Sequence, residues 1–276
     1  MIEFHEATRR YGEKVAVDRL NLTVPRGELF AFLGPNGAGK TTSIKMLVGL
    51  LRPTSGAVRV CGYDVATQTR ESNCLLGYVP DEPHLYDKLT GREFLRFIAD
   101  MYGLDATQAK RRIDREISNF ELADFVDDLT ESYSHGMKQR TVFASALLHD
   151  PAVLVVDEPM VGLDPHSIRL VKDLLKQQSL DGASVFVSTH TLSVAEEIAD
   201  RIGVVYDGKL LFLGTLAEMR QLLSMHDRSL ESLYLELLAG KRTSYLRHET
   251  RPAANTPLPA SGDGPKGTQA TASGSA

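Results

Sequence analysis

The stretch GPNGAGKT, Gly34 to Thr41, constrains this chain more than any other. It fits the pattern G-x-x-x-x-G-K-[ST] and follows a nearly continuous apolar run, GELFAFLG. After it, Ile44, Leu47, Val48 and Leu51 keep helical spacing. A buried strand, a Gly-rich turn and a helix in that order form the context in which such a loop cradles phosphate. Gly34, Pro35, Asn36, Gly37, Ala38 and Gly39 supply the turn. Its glycines let successive N–H groups curl around phosphate oxygens, and the helix N-terminus adds the positive end of its dipole. Lys40 then reaches the β- and γ-phosphates of a nucleotide, and the Thr41 hydroxyl ligates Mg2+. A chance match in a Gly-rich turn would lack the flanking strand and helix.

Further strands alternate with helices, which predicts an α/β chain with a mainly parallel sheet. LNLTV alternates apolar and polar residues as a half-buried strand does, and GAVRVCGYDV reads as another strand. Val153 to Val156, Ser184 to Thr189 and Ile202 to Tyr206 continue the series. With 276 residues, 42% of them hydrophobic, the chain can bury one large core or two small ones. A formal charge of -5 gives no basic footprint for a nucleic acid. No apolar run approaches ~20 residues, so no membrane span is expected and a membrane link would come through a partner. The N-terminus has no apolar leader pattern, and Cys61 and Cys74 follow no metal-ligand spacing, so reduced cytosolic thiols are expected.

The middle of the chain changes character. LTGREFLRFIADMYG opens on Thr90 with Glu93 three residues later, a capping-box pattern, and Phe94, Phe97, Ile98 and Met101 keep helical spacing. A charged helix follows around Lys110 to Asn119, so residues of about 85–150 read as a helical insertion. Near its end stands ESYSHGMKQR, where Ser134 suits an N-cap but Gly136 weakens a first turn. A glycine there is explained if something must approach the backbone. Residues 251–276 hold one large aliphatic residue, Leu258, and no aromatic, so a disordered tail is expected.

Two carboxylates, Asp157 and Glu158, end the apolar run AVLVV. At the end of a buried strand they are costly unless they do something. Beside a phosphate-binding loop, Asp157 can hold Mg2+ and Glu158 can orient or deprotonate an attacking water.

In these residues the chain resembles the nucleotide-binding subunit of an ABC transporter, from Phe4 to about Leu223. Gly34 to Thr41 match the Walker A loop, with Thr42 beside it on the phosphates. YVPDEP falls at the Q-loop, YSHGMKQR at the signature motif and VVDEP at Walker B with its catalytic Glu. GLDP, Gly162 to Pro165, falls at the D-loop, and STH ends on the switch histidine, His190. Tyr11, which alone reads as a surface aromatic, matches the residue that stacks on adenine. His190 alone could equally be a buried structural histidine; in the family it bonds the γ-phosphate and positions the water.

The resemblance implies a P-loop NTPase core with a mainly parallel sheet, an N-terminal antiparallel β subdomain and an inserted helical subdomain. It implies an ATPase domain over 1–225, a helical extension over 226–250 and the tail beyond. It further implies that two copies pack head to tail, so that Ser134 and Gly136 of each close on ATP held by the other. The partners expected are this second copy and a membrane permease, at the cytoplasmic face of the membrane, with no nucleic acid. Glu82, His84 and Tyr86 are the candidate permease contacts. Two departures stand out. Asp81 replaces the Q-loop Gln and becomes a candidate Mg2+ ligand. His135 and Met137 replace a Gly and the Gln of the signature, a variant that resembles simple bacterial-type exporters with a separate permease chain. Two other readings are an ATPase of the same fold acting on nucleic acid or translation, and a regulatory module that holds ATP without turnover. The acidic charge and the absence of long insertions oppose the first, and Glu158 with His190 oppose the second.

Overall fold

The computed structural model describes residues 1–223 and 229–239. The chain begins with β1 (Ile2–Tyr11), β2 (Lys14–Val24), β3 (Leu29–Leu33), α1 (Lys40–Leu47), β4 (Ser55–Val60), β5 (Tyr63–Asp64), α2 (Thr69–Asn73) and β6 (Leu76–Val79). A helical stretch follows: α3 (Gly91–Met101), α4 (Ala106–Asn119), a 3-10 turn at Thr130–Ser132 and α5 (His135–Leu147). Then come β7 (Val153–Asp157), α6 (Pro165–Leu180), β8 (Ser184–Thr189), α7 (Leu192–Ile198), β9 (Arg201–Tyr206), β10 (Lys209–Gly214), α8 (Leu216–Leu222) and α9 (Leu230–Ala239). The tail expected at 251–276 lies outside the described residues.

The strands form two sheets. One has the order β2-β1-β4-β5 and is antiparallel throughout. The other has the order β10-β9-β3-β8-β7-β6 and is parallel except where β10 meets β9. This is the α/β architecture expected from the sequence, with the antiparallel sheet at the N-terminal side of the chain. The parallel strands are apolar because both faces are covered. Every residue of β3, β7 and β8 is buried. Phe30, Phe32 and Phe186 pack between the layers with ring centroids 5.4–6.4 Å apart.

Three local readings of the sequence change. GAVRVCGYDV is not one strand but a hairpin, β4 turning into β5 at Cys61 and Gly62, both with positive φ. That pair of left-handed residues is what a two-residue turn requires. Helix α1 stops at Leu47, so Leu51 lies beyond it. In α3 the buried residues include Phe94, Leu95 and Ala99, while Phe97 and Met101 face out.

The helical stretch is tied down by its caps. Thr90 accepts from the Glu93 N–H at 3.2 Å, and the Glu93 carboxylate accepts from the Thr90 N–H at 2.8 Å. Helix α5 packs against α3, α4 and β6. A helix enclosed in that way is buried nearly all round, as residues Thr141 to Leu147 are.

Candidate functional site

The sheet order brings three loops together. β8 lies between β3 and β7, and all three run in the same direction. Their C-terminal ends therefore release Gly34–Gly39, Glu158 and His190 at one edge, where open α/β sheets hold their ligands. Asp157 is the last residue of β7 and pairs in register with Ser188 of β8.

The loop after β3 is shaped for close approach. Gly39, the N-cap of α1, has φ +109, and a Cβ there would stand 2.6 Å from the Ala16 carbonyl oxygen. Only glycine fits both demands. The same contact sets the β1–β2 hairpin beside the loop. Tyr11 pairs with Lys14 at the tip of that hairpin, 48% exposed, with the Arg9 guanidinium 4.8 Å from its ring centroid. Thr41 and Thr42 follow Lys40 in the first turn of α1.

Lys40 is buried, and its Nζ donates to the Gly34 carbonyl at 2.8 Å and the Pro35 carbonyl at 3.4 Å. It also stands 3.2 Å from Glu158 Oε1. The other oxygen of Glu158 accepts from the His190 backbone N–H at 3.2 Å and meets His190 Nδ1 at 2.9 Å. Glu158 thus joins Lys40 to His190. Its own backbone is left-handed, φ 48, a conformation that costs energy in a non-glycine residue and is held by the Glu158 N–H bonding to Ser188. His190 is half exposed, which removes its reading as a buried structural histidine.

Asp157 is buried and accepts from the Ser188 hydroxyl. Burial pushes its carboxyl up, the Ser188 bond opposes the rise, and Asp81 and Glu158 add to it. Asp81, just past the end of β6, is raised by partial burial and then by Glu158 and Glu82. The neighbouring Tyr78 phenol is pushed up to about 12, by burial first and then by Asp157 and Asp81. Carboxylates crowded and partly buried in this way form an edge that attracts a cation. Among the described residues no group of three or more His, Cys, Asp or Glu side chains could hold a metal by itself.

Among the described residues, Ser134 and Gly136 make no hydrogen bond to Lys40, Asp157, Glu158 or His190, although the charge of His135 between them acts on Asp81. The Ser134 hydroxyl accepts from the Met137 N–H at 3.3 Å and caps α5, as the sequence predicts. Among the described residues neither is hydrogen-bonded to Gly34–Thr42. Asp164 caps α6, accepting from the N–H groups of His166 and Ser167 and from the Ser167 hydroxyl, and these bonds draw its carboxyl down to about 2. Sequence reasoning missed Ser188 as the partner of Asp157. Its place in STH, one strand over in register, is the signal that could have found it.

The family model for ABC transporters matches residues 17–161. The chain belongs to the ABC transporter family. It is an ATP-binding subunit of that family, and its activity is ATP hydrolysis coupled to transport. This subunit is similar to the linearmycin resistance ATP-binding protein LnrL of Bacillus subtilis (strain 168), 36% identical over 219 residues, 79% of this chain and 70% of that one. It is 39% identical over 215 residues to the bacitracin transport ATP-binding protein BcrA of Bacillus licheniformis, covering 76% of this chain and 68% of that one. A solved ATP-binding subunit of an ABC transporter superposes with a TM-score of 0.82 and 33% identity, over 86% of this chain and 99% of the other.

Proposed function

We propose that two copies of this ABC subunit pack head to tail around ATP and drive export through a membrane permease. The observation that carries the reading is Glu158, held between Lys40 of the phosphate loop and His190 at one sheet edge. Gly34 to Thr42 would bind the phosphates and Tyr11 would stack on the base. Glu158 would accept the proton of the attacking water, which His190 orients. Ser134 and Gly136 would reach the γ-phosphate held by the partner copy, through the N–H groups at the start of α5. That neither is hydrogen-bonded to the phosphate loop of its own chain, among the described residues, supports this.

The acidic edge fits Mg2+, which keeps waters and shares its ligands with phosphate oxygens, so it needs no cage of protein groups. Thr41 and Asp157 would hold it, with Asp81 as a further oxygen ligand, and it would neutralise phosphate charge. The ATPase domain would span 1–225, with about 85–150 as its helical subdomain, and 226–250 would be a C-terminal extension, of which α9 is described and 226–228 and 240–250 lie outside the described residues.

No described helix is long and apolar enough to cross a membrane, so attachment to the cytoplasmic face would come through the permease. Its docking site would be the stretch holding Glu82, His84 and Tyr86. Tyr86 is 57% exposed and meets Phe97 edge to face at 5.5 Å, and Met101, four residues after Phe97 in α3, is exposed as well. An exposed apolar patch of this kind marks an interaction surface.

Three measurements follow. Purification from detergent-solubilised membranes should recover a polytopic membrane protein, whereas recovery of nucleic acid alone would contradict the reading. Tyr86→Ala should reduce that recovery while ATP binding by the isolated subunit stays at the wild-type level. Lys40→Ala should weaken nucleotide binding by about 1.5–3 kcal/mol, the worth of a charge-assisted contact. Wild-type affinity in a fluorescent-nucleotide titration would remove Lys40 from the site.

A further inference from the structure

His135 has no role in the site described so far, yet it is the first residue of α5 and makes a long-range contact. Its Nε2 stands 3.2 Å from the carbonyl oxygen of Val161, in the loop between β7 and α6. A carbonyl only accepts, so Nε2 carries the hydrogen; the neutral Nε2–H tautomer and the imidazolium both satisfy this. The ring lies against the next residue. A Cβ at Gly162 would stand 2.9 Å from His135 Cδ2 and 3.2 Å from Nε2, so only a residue without a side chain admits the ring there. Gly136 faces the same loop: a Cβ on it would meet Leu163 Cδ2 at 3.8 Å. Val161, Gly162 and Leu163 therefore all lie against the first turn of α5. Met160 is buried in the core and Leu163 packs against it, but the backbone bonds of the loop are long: the Val161 N–H reaches Glu158 O at 3.4 Å and the Leu163 N–H reaches Met160 O at 3.5 Å. Bonds of that length contribute little.

We propose that His135 is a positioning residue that fastens the D-loop to the first turn of the signature helix within one subunit. The bonded carbonyl, Val161, lies three residues after Glu158 and directly before Gly162 of the D-loop, and Ser134 caps the helix. With His135 in place, both are offered to the partner copy as one fixed face. The consequence for activity rests on the head-to-tail reading above; the contact itself does not.

The test is amide hydrogen exchange on the full nucleotide-free chain, read at the N–H groups of residues 160–164, with ATPase assays beside it. Loss of one net hydrogen bond predicts about fivefold faster exchange in His135→Ala. His135→Gln, whose amide N–H can reach the same carbonyl, should restore the wild-type rate. In the ATPase arm with permease present, His135→Ala should lower kcat by a similar factor, with ATP affinity of the isolated subunit at the wild-type level and rescue by Gln. Wild-type exchange in His135→Ala, or a Gln variant that exchanges like the Ala variant, would overturn the proposal. Faster exchange with unchanged kcat would keep the contact and overturn its role in presenting the face. Failure of the head-to-tail reading would appear separately, as normal dimerisation of Ser134→Arg.

Discussion

Glu158→Gln binds Mg-ATP, stops turning it over and accumulates as a dimer with nucleotide trapped between its subunits. The amide keeps the shape of the carboxylate and its carbonyl oxygen can still accept from the His190 N–H, so the sheet edge is preserved. It cannot take a proton from water, and removing a general base costs about 10²–10⁴ in rate. The exchange also removes the negative charge beside Lys40. Lys40 is then freer to turn to phosphate, and ATP affinity should be at or above the wild-type level. Size-exclusion chromatography with Mg-ATP reads the outcome. A variant that stays monomeric and hydrolyses ATP near the wild-type rate would show that Glu158 is not the base.

The parts of the fold that were legible in the sequence are those where one force dominates. β3, β7 and β8 read as apolar runs because they are covered on both faces. The Thr90–Glu93 box was legible because capping is local. The β4–β5 turn was not, because Cys61 and Gly62 carry a weaker turn signal than the usual Asn-Gly. The buried face of α3 was read one step off. Phe97 and Met101 share the helical spacing of Phe94, yet they face outward, Phe97 against Tyr86. In the site, residue types and order were legible, whereas the contacts were not. The chain of Lys40, Glu158 and His190 spans loops 118 and 32 residues apart in sequence and exists only once β8 is inserted between β3 and β7. Asp81 was read as a substitution; its raised carboxyl depends on burial and on Glu158, which no spacing encodes.

Ser134→Arg should abolish hydrolysis while leaving nucleotide binding by the single subunit intact. Its phosphate loop is untouched, because the Ser134 hydroxyl bonds to Met137 N–H and, among the described residues, to nothing in that loop. Loss of the N-cap costs only about 1 kcal/mol. The larger effect is steric and electrostatic fit across the dimer, where a long side chain stands in place of a hydroxyl at the first turn of α5. Mixing Ser134→Arg with Lys40→Ala subunits leaves one composite site with a good phosphate loop facing a good signature. The mixture should regain activity that neither variant shows alone.

The composite site itself is tested most directly by combining Ser134→Arg with Glu158→Gln and following its mass in solution with Mg-ATP by sedimentation velocity. Glu158→Gln alone provides the dimer for comparison. The doubly substituted subunit is predicted to bind ATP as Glu158→Gln does and to remain a monomer. A dimer as stable as that of Glu158→Gln, or loss of ATP binding by the monomer, would contradict a signature that acts across the interface.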